Sequence, residues 1–210
     1  MIDLGEKMAT SRELNFIKNI KILYLDRINL MNKNIVKFIF PLLSIFSGFT
    51  YADEFKLKST DITQGEIMKK KHEYQGFGCS GENKSPQLSW SGAPKATKAY
   101  AIMVYDPDAP SGSGWWHWQV VNIPTEVTSI PSGHGKLESK GVINLTNDFG
   151  QTGFGGACPP KGHGIHRYQF TVYALSEKLD LPKGASGALT GYMVKAHSLA
   201  SSTIEALYQR

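Results

Sequence analysis

Apolar and polar positions alternate in short runs through most of this chain. Four runs of strand length stand between turn formers: Ala99 to Tyr105 (AYAIMVY), Trp118 to Ile123 (WQVVNI), Gly141 to Leu145 (GVINL) and Arg167 to Leu175 (RYQFTVYAL). They are short and rich in β-branched and aromatic residues, which suits a pleated surface better than a helix. Nearer the C-terminus the pattern changes. Leu189, Met193, Ala196, Ala200, Ile204 and Leu207 follow one another at three- or four-residue spacing, which predicts one amphipathic helix over that stretch. The pattern as a whole predicts a mainly β, antiparallel domain with this one terminal helix.

A different pattern occupies residues 31–52, where Lys33 and Lys37 precede a twelve-residue apolar run from Phe38 to Phe49 and a small-residue finish at Ala52. That is the layout of a secretory signal peptide. The run is too short for a permanent membrane anchor, which needs about 20 apolar residues, and Pro41 and Gly48 argue against a buried helix. Residues 1–30 show no module and read as a non-native or disposable extension, with translation expected from Met31 and a mature start near Asp53. Residues 53–210 contain no repeat, low-complexity tract or linker, so they form one domain.

Charge changes this picture little. Of 23 Lys+Arg and 18 Asp+Glu, residues 1–52 hold seven and four, leaving the exported part nearly balanced. A nucleic-acid partner is therefore not expected. Cys79 and Cys158 both lie in the exported part. In an oxidising compartment they are a disulfide candidate, the alternative being two buried thiols.

Two long connections, residues 106–117 (DPDAPSGSGWWH) and 146–166 (TNDFGQTGFGGACPPKGHGIH), are dense in Gly and Pro yet carry His, Trp and Cys. Loops of this length in a compact domain tend to be functional. Asp106 closes one predicted strand and His117 opens the next, so antiparallel pairing would bring both to one rim. His166 stands directly before another strand, and Tyr168 shares its face two residues on. A carboxylate beside imidazoles favours their protonated form, which would give donors for an anion. Each of these residues is also an ordinary turn or packing residue when taken alone.

The segments YDPDAP, GWWHWQVVNIP and CPPKGHGIHRYQFTVYAL, in that order, resemble the signatures of the phosphatidylethanolamine-binding protein family, in its bacterial, Raf-kinase-inhibitor-like branch. CSGENKSPQLSW at 79–90 is similar to that branch too. The resemblance spans roughly residues 55–208. It implies a large fold of antiparallel β sheets with a few peripheral helices, and a small anion pocket built from Asp106, Asp108, His117, Pro160, His166 and Tyr168. It also implies that a Cys79–Cys158 bond would brace a pocket wall beside Pro159 and Pro160. The WWHW run and the cysteines depart from the eukaryotic members, whose kinase or protease partners do not transfer.

Three lookalikes fail. Gly76, Gly78 and Gly81 spell GxGxxG, but Pro86 follows and no helix pattern opens there, so no dinucleotide site is expected. His163 and His166 lack a second spaced pair for zinc, and Ser111 and Ser113 sit in no nucleophile elbow. The expectation is a periplasmic or secreted bacterial protein, without cofactor, that binds a small anionic or phosphate-bearing molecule. A protein partner or a homodimer is compatible with the sequence. The alternatives are a hydrolase working through the Asp/His cluster and an inhibitor of a kinase or protease.

Overall fold

A computed structural model describes residues 54–210; the predicted signal peptide and the segment before it lie outside the described residues. In chain order the elements are β1 (Lys56–Lys58), a 3-10 turn (Lys70–His72), β2 (Gln75–Gly76), β3 (Cys79–Ser80), β4 (Leu88–Ser91), β5 (Ala99–Asp106) and β6 (Trp115–Ile123). These are followed by β7 (Ser129–Ile130), β8 (Ile143–Asn144), β9 (His166–Leu175), α1 (Gly187–Ala196) and β10 (Ser198–Tyr208).

A five-stranded sheet runs β10-β9-β5-β6-β8 and a three-stranded sheet runs β1-β4-β7, and neighbouring strands in both pair antiparallel. Strand β5 lies at the centre of the larger sheet, and its apolar run is almost unbroken because both of its faces are covered. One face meets the smaller sheet, where Ile102, Val104, Trp118 and Phe170 pack with Leu57, Leu88, Trp90 and Ile130. The other face carries Ala99, Ala101 and Met103, which pack with Leu179, Ala185 and Val194. Alternating side chains of one strand thus serve two cores. The β fold with antiparallel sheets is as the sequence predicts.

The predicted C-terminal helix is only half correct. Helix α1 stops at Ala196, and Ser198–Tyr208 is the longest strand among the described residues, paired with β9 from Ser198↔Leu175 to Tyr208↔His166. Within β10, Ile204, Ala206 and Tyr208 are buried in strict alternation. The four-residue step from Ala200 to Ile204 had satisfied both periods, because four is a multiple of two. The strand expected over Gly141–Leu145 shrinks to Ile143–Asn144 at the sheet edge.

Candidate functional site

Three strand ends meet at one edge of the large sheet. Asp106 ends β5 opposite Trp115, the first residue of β6, and β9 begins at His166, so that Tyr105 pairs with Gln169. His117 was expected to open β6 but lies inside it. Val104 pairs with Trp118 while Tyr105 pairs with Trp116, which leaves His117 as the extra residue of a β-bulge. Bulges re-aim side chains beside functional sites, and here Trp118 enters one core while His117 is turned to the cavity.

The polar groups form two separate arrangements. Nδ1 of His117 lies 2.8 Å from the carbonyl of Gly155 and 3.1 Å from that of Gly156. Carbonyls only accept, so Nδ1 carries the proton and Nε2 of the neutral ring is an acceptor. Burial pushes His117 below the ordinary imidazole value, against the opposing pull of those carbonyls and of the Asp106 charge. The expectation that Asp106 holds His117 protonated is therefore corrected. Asp106 instead bonds His166, whose Nδ1 donates to Oδ2 at 2.7 Å, while Oδ1 accepts from the Asp108 amide at 2.8 Å. Nε2 of His166 lies 2.7 Å from Nδ1 of the exposed His163. Two nitrogens on one tetrahedral zinc would stand about 3.3 Å apart, so this separation is that of a hydrogen bond between the rings.

Tyr168 is buried beside both histidines, with its ring 5.1 Å from that of His117, and its hydroxyl has no hydrogen-bond partner among the described residues. Burial, reinforced by the Asp106 carboxylate, pushes this phenol far above its usual range, so it remains a donor.

These groups open on a cavity of about 560 Å³. Of the residues the resemblance implied, Asp106, His117, Pro160, His166 and Tyr168 line it, and Asp108 does not. Its carboxylate is forked by Arg167, with Nε and Nη2 at 2.9 and 2.7 Å, and that pairing chiefly holds its pKa below the usual value. Asp108 thus fixes the turn that carries Asp106. Sequence reasoning missed the rest of the wall, including Phe77, Trp115, Phe149, Lys161 and Arg210. Phe77 and Phe149 had weak signals, since each is an aromatic beside glycine in a turn; Arg210 had none.

Cys79 and Cys158 form a disulfide with Cα atoms 5.9 Å apart, and Cys158 lines the cavity. Arg210 spans the same wall: its Nε donates to Pro159 O at 2.8 Å and its Nη1 to Gly78 O. Among the described residues no helix is long and apolar enough to cross a membrane.

The model of the phosphatidylethanolamine-binding protein family matches residues 58–209. The chain belongs to that family. Its relatives in the phosphatidylethanolamine-binding family include YbcL of Escherichia coli K12, 48% identical over 80% of this chain and 94% of the relative. YbhB of the same organism is 47% identical over 73% of this chain and 99% of its own. The crystal structure of E. coli YbcL, described as a new member of the mammalian family, superposes with a TM-score of 0.72 at 50% identity, covering 75% of this chain and 99% of that one. A homologue from Chlamydia trachomatis gives 0.64 at 27% identity over 75% and 98%.

Proposed function

We propose that the cavity binds a small molecule bearing a phosphate or carboxylate, and that the protein is exported. The observation that carries the binding reading is the convergence of Asp106, His117, His166 and Tyr168 from three strands on one concavity, with Lys161 and Arg210 as the cations of its wall. Two fixed cations face one lining carboxylate, whose oxygens are already engaged by His166 and Asp108. The unpartnered Tyr168 hydroxyl supplies a donor, and the exposed His163 is the partner that an anion would displace from His166. Regulation of a partner protein through the occupied pocket is the output we assign to such binding.

Export is supported by the leader-like segment at residues 31–52. The sequence match to YbcL takes in 80% of the chain against 75% for the structural match. Residues 54–210 alone cannot supply the larger share, so the likeness runs back into that segment.

Calorimetric titration of the purified protein with inorganic phosphate, acetate and phosphoethanolamine tests the reading. Competitive, single-site binding is expected, and absence of saturable binding of all three overturns it. The hydrolase alternative needs an activated nucleophile; Ser111 lines the cavity, but its hydroxyl is spent on the Gly114 carbonyl. Release of phenol from phenyl phosphate at a rate proportional to protein would favour that alternative.

A further inference from the structure

Phe77 is out of place for a residue that serves only stability. Its side chain is 71% exposed, and its φ of 53° lies in the left-handed region that disfavours bulky residues. Glycines flank it on both sides, also at positive φ, and the Cys79–Cys158 bond ties down the turn two residues later. Strained backbone held in place by its surroundings is characteristic of ligand sites. Phe77 lines the cavity, as do Trp115 and Phe149, whose rings lie 5.3 Å apart. Phe149 is the hub: Tyr74 stacks on it at 4.0 Å, while Phe77 and His117 stand edge-on to it at 5.5 and 5.4 Å.

The size of the cavity points the same way. At about 30 Å³ per water, 560 Å³ is room for roughly nineteen waters, far more than a five-heavy-atom phosphate displaces. Pockets of about 300–1,000 Å³ enclose whole organic molecules. Phe77 and Phe149 offer no hydrogen bond to an anion and Trp115 only its unpartnered indole N–H, while Lys161 and Arg210 in the same lining oppose a quaternary ammonium. An uncharged flat ring is the group that gains from this wall, through edge and face contacts with three aromatic side chains.

Resting on the anion-binding reading above, we propose that the ligand is an aryl-bearing anion, its phosphate or carboxylate at the His166–Tyr168 end and its ring against Phe77, Trp115 and Phe149. The subsite is distinct from the anion-holding groups, so the two contribute separately to affinity.

Calorimetry with inorganic phosphate, phenyl phosphate and hexyl phosphate on the wild type and on Phe77→Asn tests this. Asn tolerates positive φ and Phe77 is mostly exposed, so the variant keeps its fold. Phenyl phosphate is expected to bind about tenfold or more tighter than phosphate in the wild type. Phe77→Asn is expected to remove most of that increment, read as the ratio of phenyl phosphate to phosphate affinity. Equal affinity for phosphate and phenyl phosphate overturns the aryl subsite and leaves the anion pocket standing. Hexyl phosphate binding as tightly as phenyl phosphate, or an increment that survives Phe77→Asn, overturns it too. Failure of every probe to bind the wild type overturns the anion reading itself, and the subsite with it.

Discussion

Nδ1 of His166 and Oδ2 of Asp106 meet at 2.7 Å with both side chains 3% exposed or less. Since the other Asp106 oxygen accepts the Asp108 amide, both carboxylate oxygens are held by the protein. On the anion-binding proposal, Asp106 is therefore expected to act on a ligand chiefly by orienting His166. Asp106→Asn should weaken phosphate and phosphoethanolamine to the same extent, about tenfold, and lower stability by roughly 1–3 kcal/mol. Calorimetry and urea unfolding check both, and a loss confined to phosphoethanolamine would show that Asp106 touches the ammonium group.

The two imidazoles buried as neutral rings set an acid limit. Burial pushes His72 and His117 below the ordinary value of 6.5, despite carbonyl partners at Lys84 and Gly155. Above pH 6.5 they are neutral whether folded or not, and their contribution is fully present. Below it the unfolded chain binds protons that the fold refuses, so stability falls. Stability should therefore fall between pH 6.5 and 5.5, and His72→Gln should remove part of that loss. Asp61 and Glu73, both held below the usual carboxylate range, titrate only at lower pH: burial pushes each up, but hydrogen bonds from Lys71 and Gln87 to Asp61, and from Tyr208 and Ser80 to Glu73, prevail. Urea unfolding at pH 7.5, 6.5 and 5.5 resolves this, and identical slopes in wild type and variant would contradict it.

The disulfide links residues 79 positions apart. Chain-entropy arguments put the contribution of such a bond at roughly 2–4 kcal/mol. A Cys79→Ser, Cys158→Ser double variant should lose that much, measured by urea unfolding. Thiol titration of unfolded, unreduced wild type should find no reactive thiol.

Helix α1 docks through its glycines. A Cβ at Gly187 would lie 2.2 Å from Trp116 Cδ1, whereas at Gly191 the nearest atom, Trp116 Cη2, is 3.5 Å away. Gly187→Ala should therefore destabilise by about 1–3 kcal/mol through overpacking, while Gly191→Ala should stabilise by roughly 0.5–1 kcal/mol through helix propensity. Thermal unfolding of the pair should shift in opposite directions.

What the sequence made legible was the part governed by local pattern. The run at 99–105 is a strand with both faces covered and that at 167–175 one whose buried positions alternate with exposed or half-buried ones, both rich in β-branched and aromatic residues, and the turn chemistry around Asp106 and His166 marked the site's edge. The bulge at His117 was not legible, since it exists only as a mismatch between two strands. Nor was the division of labour between the histidines, which depends on carbonyls at Gly155 and Gly156, far along the chain. Residues 198–208 became a strand because pairing with β9 was available to them, a long-range fact that spacing does not encode.

Arg210 carries the last prediction. Its guanidinium joins Pro159 O and Gly78 O, the carbonyls beside the two bonded cysteines, while Nη2 has no partner among the described residues. One side chain thus fastens the cavity wall and leaves a charged donor for an anion. Arg210→Lys keeps the charge but cannot span both carbonyls, because an ammonium lacks the planar fork. Arg210→Ala removes charge and brace together. Binding of phosphate should fall about tenfold or more in Arg210→Ala, one charge-assisted hydrogen bond being worth roughly 1.5–3 kcal/mol. Arg210→Lys should recover part of the affinity at low salt and lose it as ionic strength rises, since an unanchored charge acts only through a screened field. Calorimetry at 20 and 200 mM salt separates the roles. If Arg210→Lys matches the wild type at both, position is irrelevant and charge alone suffices; if Arg210→Ala does, the anion is held elsewhere in the cavity.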